Sequence, residues 1–373
     1  MSKRNIVRRK DVFAFLNELF GSDLHAKRVL SLSNATVGVL ASSSLSISAI
    51  GRGLATTCKL ADKHAIKQVD RLLSNQKINL EEVFPLWVGD IVGQRKEIVV
   101  ILDWTDFDAD DQATLELSLV TSHGRATPLM WKTIRKSELK GKKRQLEGKM
   151  VLDFATMLPD DVEVTLLADR GFDDHAFLDF VQGLKRFDYI IRFRGNTIVT
   201  SKNGESRPAK EWVGKNGRAK TLREAKLTRK GLDVATIVCV RDKNMKDAWC
   251  LVSNKVDANT KGMVKYYARR WSIEASFRDL KDPIYGLGLG SLHISRPDRR
   301  DRVMLLRAFC VVLLTLLGAA GEEVGIDKYL KASSTKKRTL SLIRQGFLWY
   351  CRLDNMRDEW FEPLIRRYSE IIQ

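Results

Sequence analysis

The sequence predicts a mixed α/β fold, a sheet flanked by helices, and three observations carry that expectation. Three strand-like runs follow one another from Glu97: EIVVILDWTDF, ATLELSLVT and RATPLMWKTI. Helix and strand then alternate through VEVTLLAD, FDDHAFLDFVQGLK and DYIIRFR. Apolar residues at helical spacing mark both ends of the chain. Successive strands followed by alternation are the pattern of a sheet covered by helices.

The elements justify themselves in order. Residues 8 to about 90 read as helical, most clearly in DVFAFLNELF and KHAIKQVDRLLSNQ. The Ser-rich stretch SLSNATVGVLASSSLSISAIG is expected to hold short helices capped by Ser and Asn. A basic helix should separate the third strand from VEVTLLAD. Residues 195 to 254 break the alternation with Gly-containing turns and short strands (LDVATIVCV, AWCLVSN), and read as a β-rich insertion. DANTKGMVKYYARRWSIEASFRDLKD then reads as one long helix that stops at Asp282-Pro283. The remaining C-terminal part is helical. The expected division is a helical domain over 1–90, the first part of an α/β core over 91–194, the insertion over 195–254, a core helix within 255–295, and a helical region over 296–373.

Composition narrows the class. The 373 residues carry a formal net charge of +18. Such an excess repels itself in a compact state, and a polyanion partner is the usual compensation. Nucleic acid is the first candidate and an anionic membrane surface the second, although no basic amphipathic helix stands out. From Arg192 to Lys246 there are 15 Lys or Arg against 5 Asp or Glu, and from Arg135 to Lys149 the count is 7 to 2. Clusters of this kind suit a surface that tracks phosphates. The apolar stretch from Val303 to Ala320 is interrupted by Arg307 and is short for a membrane span, so a buried helix is expected. The five cysteines form no CxxC pair and read as free thiols of a reducing cytosol. With no secretory signal at the start, the expected location is the bacterial cytoplasm, in association with the nucleoid and with no membrane partner.

Candidate chemistry rests on three acids. Asp103 and Asp169 each end an apolar strand, where open sheets place functional groups. A glutamate supplied by a helix would complete an all-oxygen site suited to Mg²⁺. Tyr267, Arg270, Glu274 and Lys281 are spaced by 3, 4 and 7 residues. At about 100° per residue, the last three fall at roughly −60°, −20° and −40° from Tyr267, with Arg278 at roughly +20° beside them. An acid among cations on one narrow face is either a solvated, ion-paired surface or a site.

These residues carry a resemblance. The chain resembles the DDE transposases of bacterial insertion sequences, specifically the insertion sequence 4 family, with its Tyr-x2-Arg-x3-Glu-x6-Lys signature. Tyr267, Arg270, Glu274 and Lys281 match every position of it. Asp103 in LDWTDF matches the first acid and Asp169 in LLADRGF the second, followed by the family's usual Arg at Arg170. Some members carry Glu after that Arg, and here Gly171 stands in its place. KHAIKQVDRLLSN is similar to the family's N-terminal motif. The resemblance spans roughly residues 60 to 320.

The resemblance implies an RNase H-like core interrupted between the second and third acids. The spacing agrees, since 65 residues separate Asp103 from Asp169 and 104 separate Asp169 from Glu274. It implies an enzyme that nicks transposon ends, forms a hairpin and transfers strands, with transposon inverted repeats and target DNA as partners and a homodimer in the synaptic complex. Two Mg²⁺ ions, for which Mn²⁺ can substitute, would be held by Asp103 between them, Asp169 on one and Glu274 on the other. Tyr267, Arg270 and Lys281, with Arg278 and Arg170 nearby, would grip phosphates. Arg192 and Arg194 resemble residues that steady the distorted strand. Trp249 resembles a base-stacking tryptophan, though an edge-strand core role is equally open. A catalytically inactive DNA-binding regulator and a simple RNase H-like nuclease are the other readings; the intact acids oppose the first, and the Tyr-Arg-Glu-Lys face is left unexplained by the second.

Overall fold

Strands and helices appear where apolar periodicity places them. The computed structural model describes residues 3–228, 231–243, 245–256, 258–284 and 286–372, with side chains from residue 9 to 371 within those spans. β1 (Glu97–Phe107), β2 (Gln112–Val120) and β3 (Ala126–Arg135) form an antiparallel meander. β4 (Glu163–Ala168) and β5 (Phe187–Phe193) run parallel to β1, giving the spatial order β3-β2-β1-β4-β5. The inserted segment supplies β6 (Ile198–Thr200), β7 (Ser206–Pro208), β8 (Lys220–Leu227), β9 (Leu232–Val240) and β10 (Trp249–Ser253). β10 pairs antiparallel with β5, so the inserted strands continue the same sheet to ten strands. This mixed sheet with flanking helices is the expected α/β architecture, consistent with an RNase H-like core.

Five helices precede the sheet: α1 (Lys3–Phe20), α2 (Ala26–Ser42), α3 (Ile47–Cys58), α4 (Asp62–Leu73) and α5 (Leu80–Val92). The Ser-rich stretch differs from expectation. α2 begins upstream of it and ends within it at Ser42, with Asn34 in its interior and His25 as its cap, whose Nδ1 accepts from the Lys27 amide. Ser46 precedes α3 without a side-chain cap bond to it. Gly38 lets the two helices cross closely: a Cβ there would lie 2.4 Å from the Ile50 carbonyl oxygen.

α6 (Lys136–Leu139), α7 (Lys143–Met157) and α8 (His175–Gln182) lie between core strands. The single long helix expected after the insertion is instead two, α9 (Thr260–Ala268) and α10 (Trp271–Lys281); its expected first residue, Asp257, lies outside the described residues. Four amides around the break bond three residues back, Arg269 to Tyr266, Arg270 to Tyr267, Ser272 to Arg269 and Ile273 to Arg270. Such 3₁₀-type bonding tightens the turn and separates the helices while the backbone stays right-handed.

α11 (Pro297–Glu323), α12 (Leu342–Arg352) and α13 (Asp358–Ile372) close the chain. α11 is long and apolar enough to cross a membrane, but 78% of its most apolar window is buried inside the protein. Its arginines explain why it is not purely apolar. Arg300 pairs with Asp110 and donates from Nε to Gln112 Oε1 at 2.7 Å, and Arg307 pairs with Glu116, all buried.

Asp301 of α11 is also buried, and its Oδ1 accepts from the Thr133 amide at 2.8 Å. Burial pushes its carboxyl up to about 7. A folded-state value above the unfolded one gives stability that is present at low pH and lost as pH rises through the folded value. Asp301→Asn keeps an acceptor for Thr133 and removes the charge. Its stability relative to the parent should therefore rise from about pH 5 to about pH 8, by on the order of 3 kcal/mol. Urea midpoints at both pH values check this, and parallel curves would refute it.

Candidate active site

β1 and β4 lie side by side and parallel, with Leu102 opposite Ala168, so the next residues, Asp103 and Asp169, project from one level of the sheet. Asp103 is mostly buried, its side chain 16% exposed. Its Oδ1 accepts from the Trp104 amide at 2.9 Å and its Oδ2 from Arg270 Nη1 at 3.2 Å. Asp169 Oδ1 accepts from the Gly171 amide at 2.7 Å. A Cβ at Gly171 would lie 2.9 Å from that same oxygen, so a side chain there would displace the carboxylate.

Glu274 reaches the site from the first turn of α10 and accepts from Arg270 Nη2. The Arg270 guanidinium thus bridges an acid of β1 and an acid of α10. Burial pushes the Asp103 carboxyl up to about 7; Arg270 opposes this, while the charges of Asp169 and Glu274 reinforce it. The three acids are therefore one electrostatic group with a shortage of positive charge. Their donor set is all carboxylate oxygen, which fits a hard divalent cation. With Arg270 holding two of the acids, no group of three His, Cys, Asp or Glu among the described residues is arranged around a single ion.

Tyr267 is buried at the end of α9, and burial pushes its phenol up to about 12. Its ring meets Trp249 edge-on at 5.0 Å, and the Arg270 guanidinium lies 5.9 Å from it. Lys281 Nζ donates to the Asp106 carbonyl at 2.6 Å and sits 4.9 Å from the Phe107 ring. Burial lowers its pKa, and Arg300 and Lys136 add to that. Arg278 is exposed on α10. The signature residues are thus brought to one region, but Tyr267 and Arg270 are buried, and Glu274, Lys281 and the neighbouring Arg278 are the ones that reach solvent.

Arg170, Arg192 and Arg194 line an open cavity of about 770 Å³ at the end of β5. Lys210, Arg241 and Lys246 line it too; singly they carried no signal, and the charge count over residues 192–246 was the only trace of them. Arg194 Nη1 donates to Asp173 Oδ1 at 2.7 Å. Trp249 is half-buried and follows Ala248, the last residue of the cavity lining, without lining the cavity itself. Trp212 is buried, with the Arg207 guanidinium 3.9 Å and Lys220 Nζ 5.0 Å from its ring.

One acid escaped sequence reasoning altogether. Glu147 of α7 is buried and accepts from Trp104 Nε1 at 2.8 Å, on the sheet face opposite Asp103. In sequence it is a glutamate among lysines, which reads as solvated surface.

The family model for the transposase DDE domain matches residues 94–313, more than half of the chain and inclusive of all three acids. The chain belongs to the transposase DDE domain family. No match is found among curated proteins. As a transposase it is a DNA-cleaving and DNA-transferring enzyme, and DNA is its substrate. Transposase DDE domains generally use divalent metal ions, in keeping with the carboxylate donor set described above.

Proposed function

We propose that this transposase cuts and rejoins the ends of an insertion sequence of the insertion sequence 4 type, with Asp103, Asp169 and Glu274 as its metal-holding acids. The observation that carries the reading is the convergence of the three acids from β1, the end of β4 and α10, with Arg270 between two of them. Two Mg²⁺ ions, when bound, would activate the attacking oxygen and stabilise the leaving one. The chain's own residues do the rest. Arg270 exchanges its carboxylate partners for a phosphate of the transposon end, a bidentate task suited to its planar head. Lys281 and Arg278 add point charge along α10, and Tyr267 braces Arg270 from below.

The basic cavity around Arg170, Arg192 and Arg194 holds the distorted strand. On the N-terminal helices, Lys27, Arg28, Lys67 and Arg71 line a second cavity of about 580 Å³ between α2 and α4, together with Ser31 and Gln68. Cations mixed with amide and hydroxyl groups suit recognition of the terminal repeat, so residues 1–90 act as the end-binding unit. Synapsis of two ends requires a homodimer, and the reaction takes place in the bacterial cytoplasm.

The test uses the full chain and a duplex carrying one end of the element. Nicking should require Mg²⁺ or Mn²⁺, cease with chelator, and be followed by hairpin formation and strand joining. Hydrolysis without joining would reduce the protein to a nuclease.

Trp249 separates hairpin formation from nicking. If it stacks on an extruded base, Trp249→Ala loses about 1–3 kcal/mol at the most distorted step. Hairpin formation should then slow roughly ten- to a hundredfold, with nicking changed much less. An abasic site at the extruded position should restore part of the rate. Equal slowing of both steps, with a lowered melting midpoint, would make Trp249 a core residue.

A further inference from the structure

A cavity of about 640 Å³ lies where the N-terminal helices, the catalytic core and the C-terminal helices meet. Its walls are apolar stripes of three helices: Leu280 of α10, Val311 and Leu314 of α11, and Ile343 and Phe347 of α12. The turn between α2 and α3 closes a further side with Ser43 and Ser44. A space of this size, at a junction of chain regions, suits a small organic molecule.

Two arginines give the cavity its polarity. Arg307 lines it and is 1% exposed. Glu116 takes its Nη1, but its Nη2 is buried and has no hydrogen-bond partner among the described residues. A buried donor left unmade costs about 1–3 kcal/mol, and an acceptor in the cavity would remove that cost. Arg344, in the first turn of α12, lines the cavity half-buried and has no ion pair among the described residues. Its guanidinium lies 5.2 Å from the Phe347 ring. Arg125, also in the lining, is matched by Asp279. The site therefore holds one uncompensated positive charge and one free buried donor above apolar walls, and the positive end of the α12 dipole adds to them.

We propose that this cavity binds a small amphiphilic carboxylate, with a single negative charge and an unbranched apolar body. The carboxylate accepts from Arg307 Nη2 and faces Arg344, and the body lies along Leu280, Val311 and Leu314. A nucleotide or a DNA phosphate fits less well, since it brings polar sugar against apolar walls. The site is also apart from the acids. Leu280 falls about 240° around α10 from Glu274, so the ligand would rest against the back of the helix that presents the third acid. Binding here does not depend on how the chain cuts DNA.

The test titrates sodium dodecanoate, below its micelle range, into the full-length protein by calorimetry. One dodecanoate should bind per chain, saturably, and should raise the melting midpoint, as a ligand of the folded state does. Arg344→Gln should weaken binding at least about fivefold. Lys149→Gln removes the same charge from an exposed position on α7 and should leave binding within about twofold of the parent. Val311→Phe, which puts a ring into the cavity, should weaken binding at least about fivefold. If that variant melts lower than the parent, the pair Arg344→Gln and Lys149→Gln decides alone. Dodecyltrimethylammonium, with the same chain and the opposite charge, should not bind saturably. Absence of saturable dodecanoate binding overturns the proposal, as does a lowered melting midpoint, which would mark surfactant action on the unfolded chain. Equal losses in Arg344→Gln and Lys149→Gln also overturn it, since attraction to the basic surface as a whole would then explain the binding.

Discussion

Alanine at Asp103, Asp169 or Glu274 is expected to remove Mg²⁺-dependent nicking by at least about three orders of magnitude, with end binding kept within a few fold. Affinity for DNA resides in cations on phosphates, and the acids oppose it if anything. Asp103→Ala and Glu274→Ala each free one side of Arg270, whose guanidinium bridges the two carboxylates. Both variants should therefore bind end DNA as well as the parent or slightly better. Asp169→Ala loses no partner among the signature residues and should bind as the parent does. Gel shift and cleavage on the same end fragment measure both properties. Substantial metal-dependent nicking by any of the three would remove that residue from the site.

Arg307→Met is expected to destabilise the fold by about 3–5 kcal/mol, because it leaves a buried carboxylate without its partner. Glu116 is directly opposite Asp103 in register, and opposed residues share one face of the sheet. The orphaned charge would sit beside an acid already held short of counter-charge. Ser118 Oγ, which donates to Glu116 Oε1 at 2.7 Å, would be its remaining side-chain partner. Replacing both members, as Glu116→Leu with Arg307→Met, should restore most of the loss, since well-packed apolar pairs replace buried ion pairs at little cost. Urea unfolding of both variants tests this. A double variant no more stable than the single one would show that the pair is not the source of the loss.

The core strands were legible because each is a run of branched and apolar residues ending on an acid, and Asp103 and Asp169 could be placed at strand ends from that alone. Arg307 was visible as an interruption, but its partner was not. In β2 the alternation of Leu115, Leu117 and Leu119 with Thr114, Glu116 and Ser118 suggests one wet face, whereas both faces are buried. The polar face is covered because Arg307 brings Glu116 its charge from a helix nearly 200 residues later, a pairing that local pattern does not encode. The α9–α10 break was also invisible, since KYYARRWSIEA contains no Gly or Pro and the backbone stays right-handed through it.

Pairing of β10 with β5 has a consequence for solubility. Without the inserted strands, β5 would offer a row of unpaired backbone groups from Phe187 to Phe193, and five of its seven residues are apolar or aromatic. A bare edge of this kind is a template for pairing between molecules. The insertion moves the free edge outward to β7, which is three residues long and ends in Pro208. A short strand with a residue that cannot donate a backbone hydrogen bond is a poor template. The inserted segment therefore guards the core against aggregation, and shortening it would endanger expression of the protein before any effect on DNA could be seen.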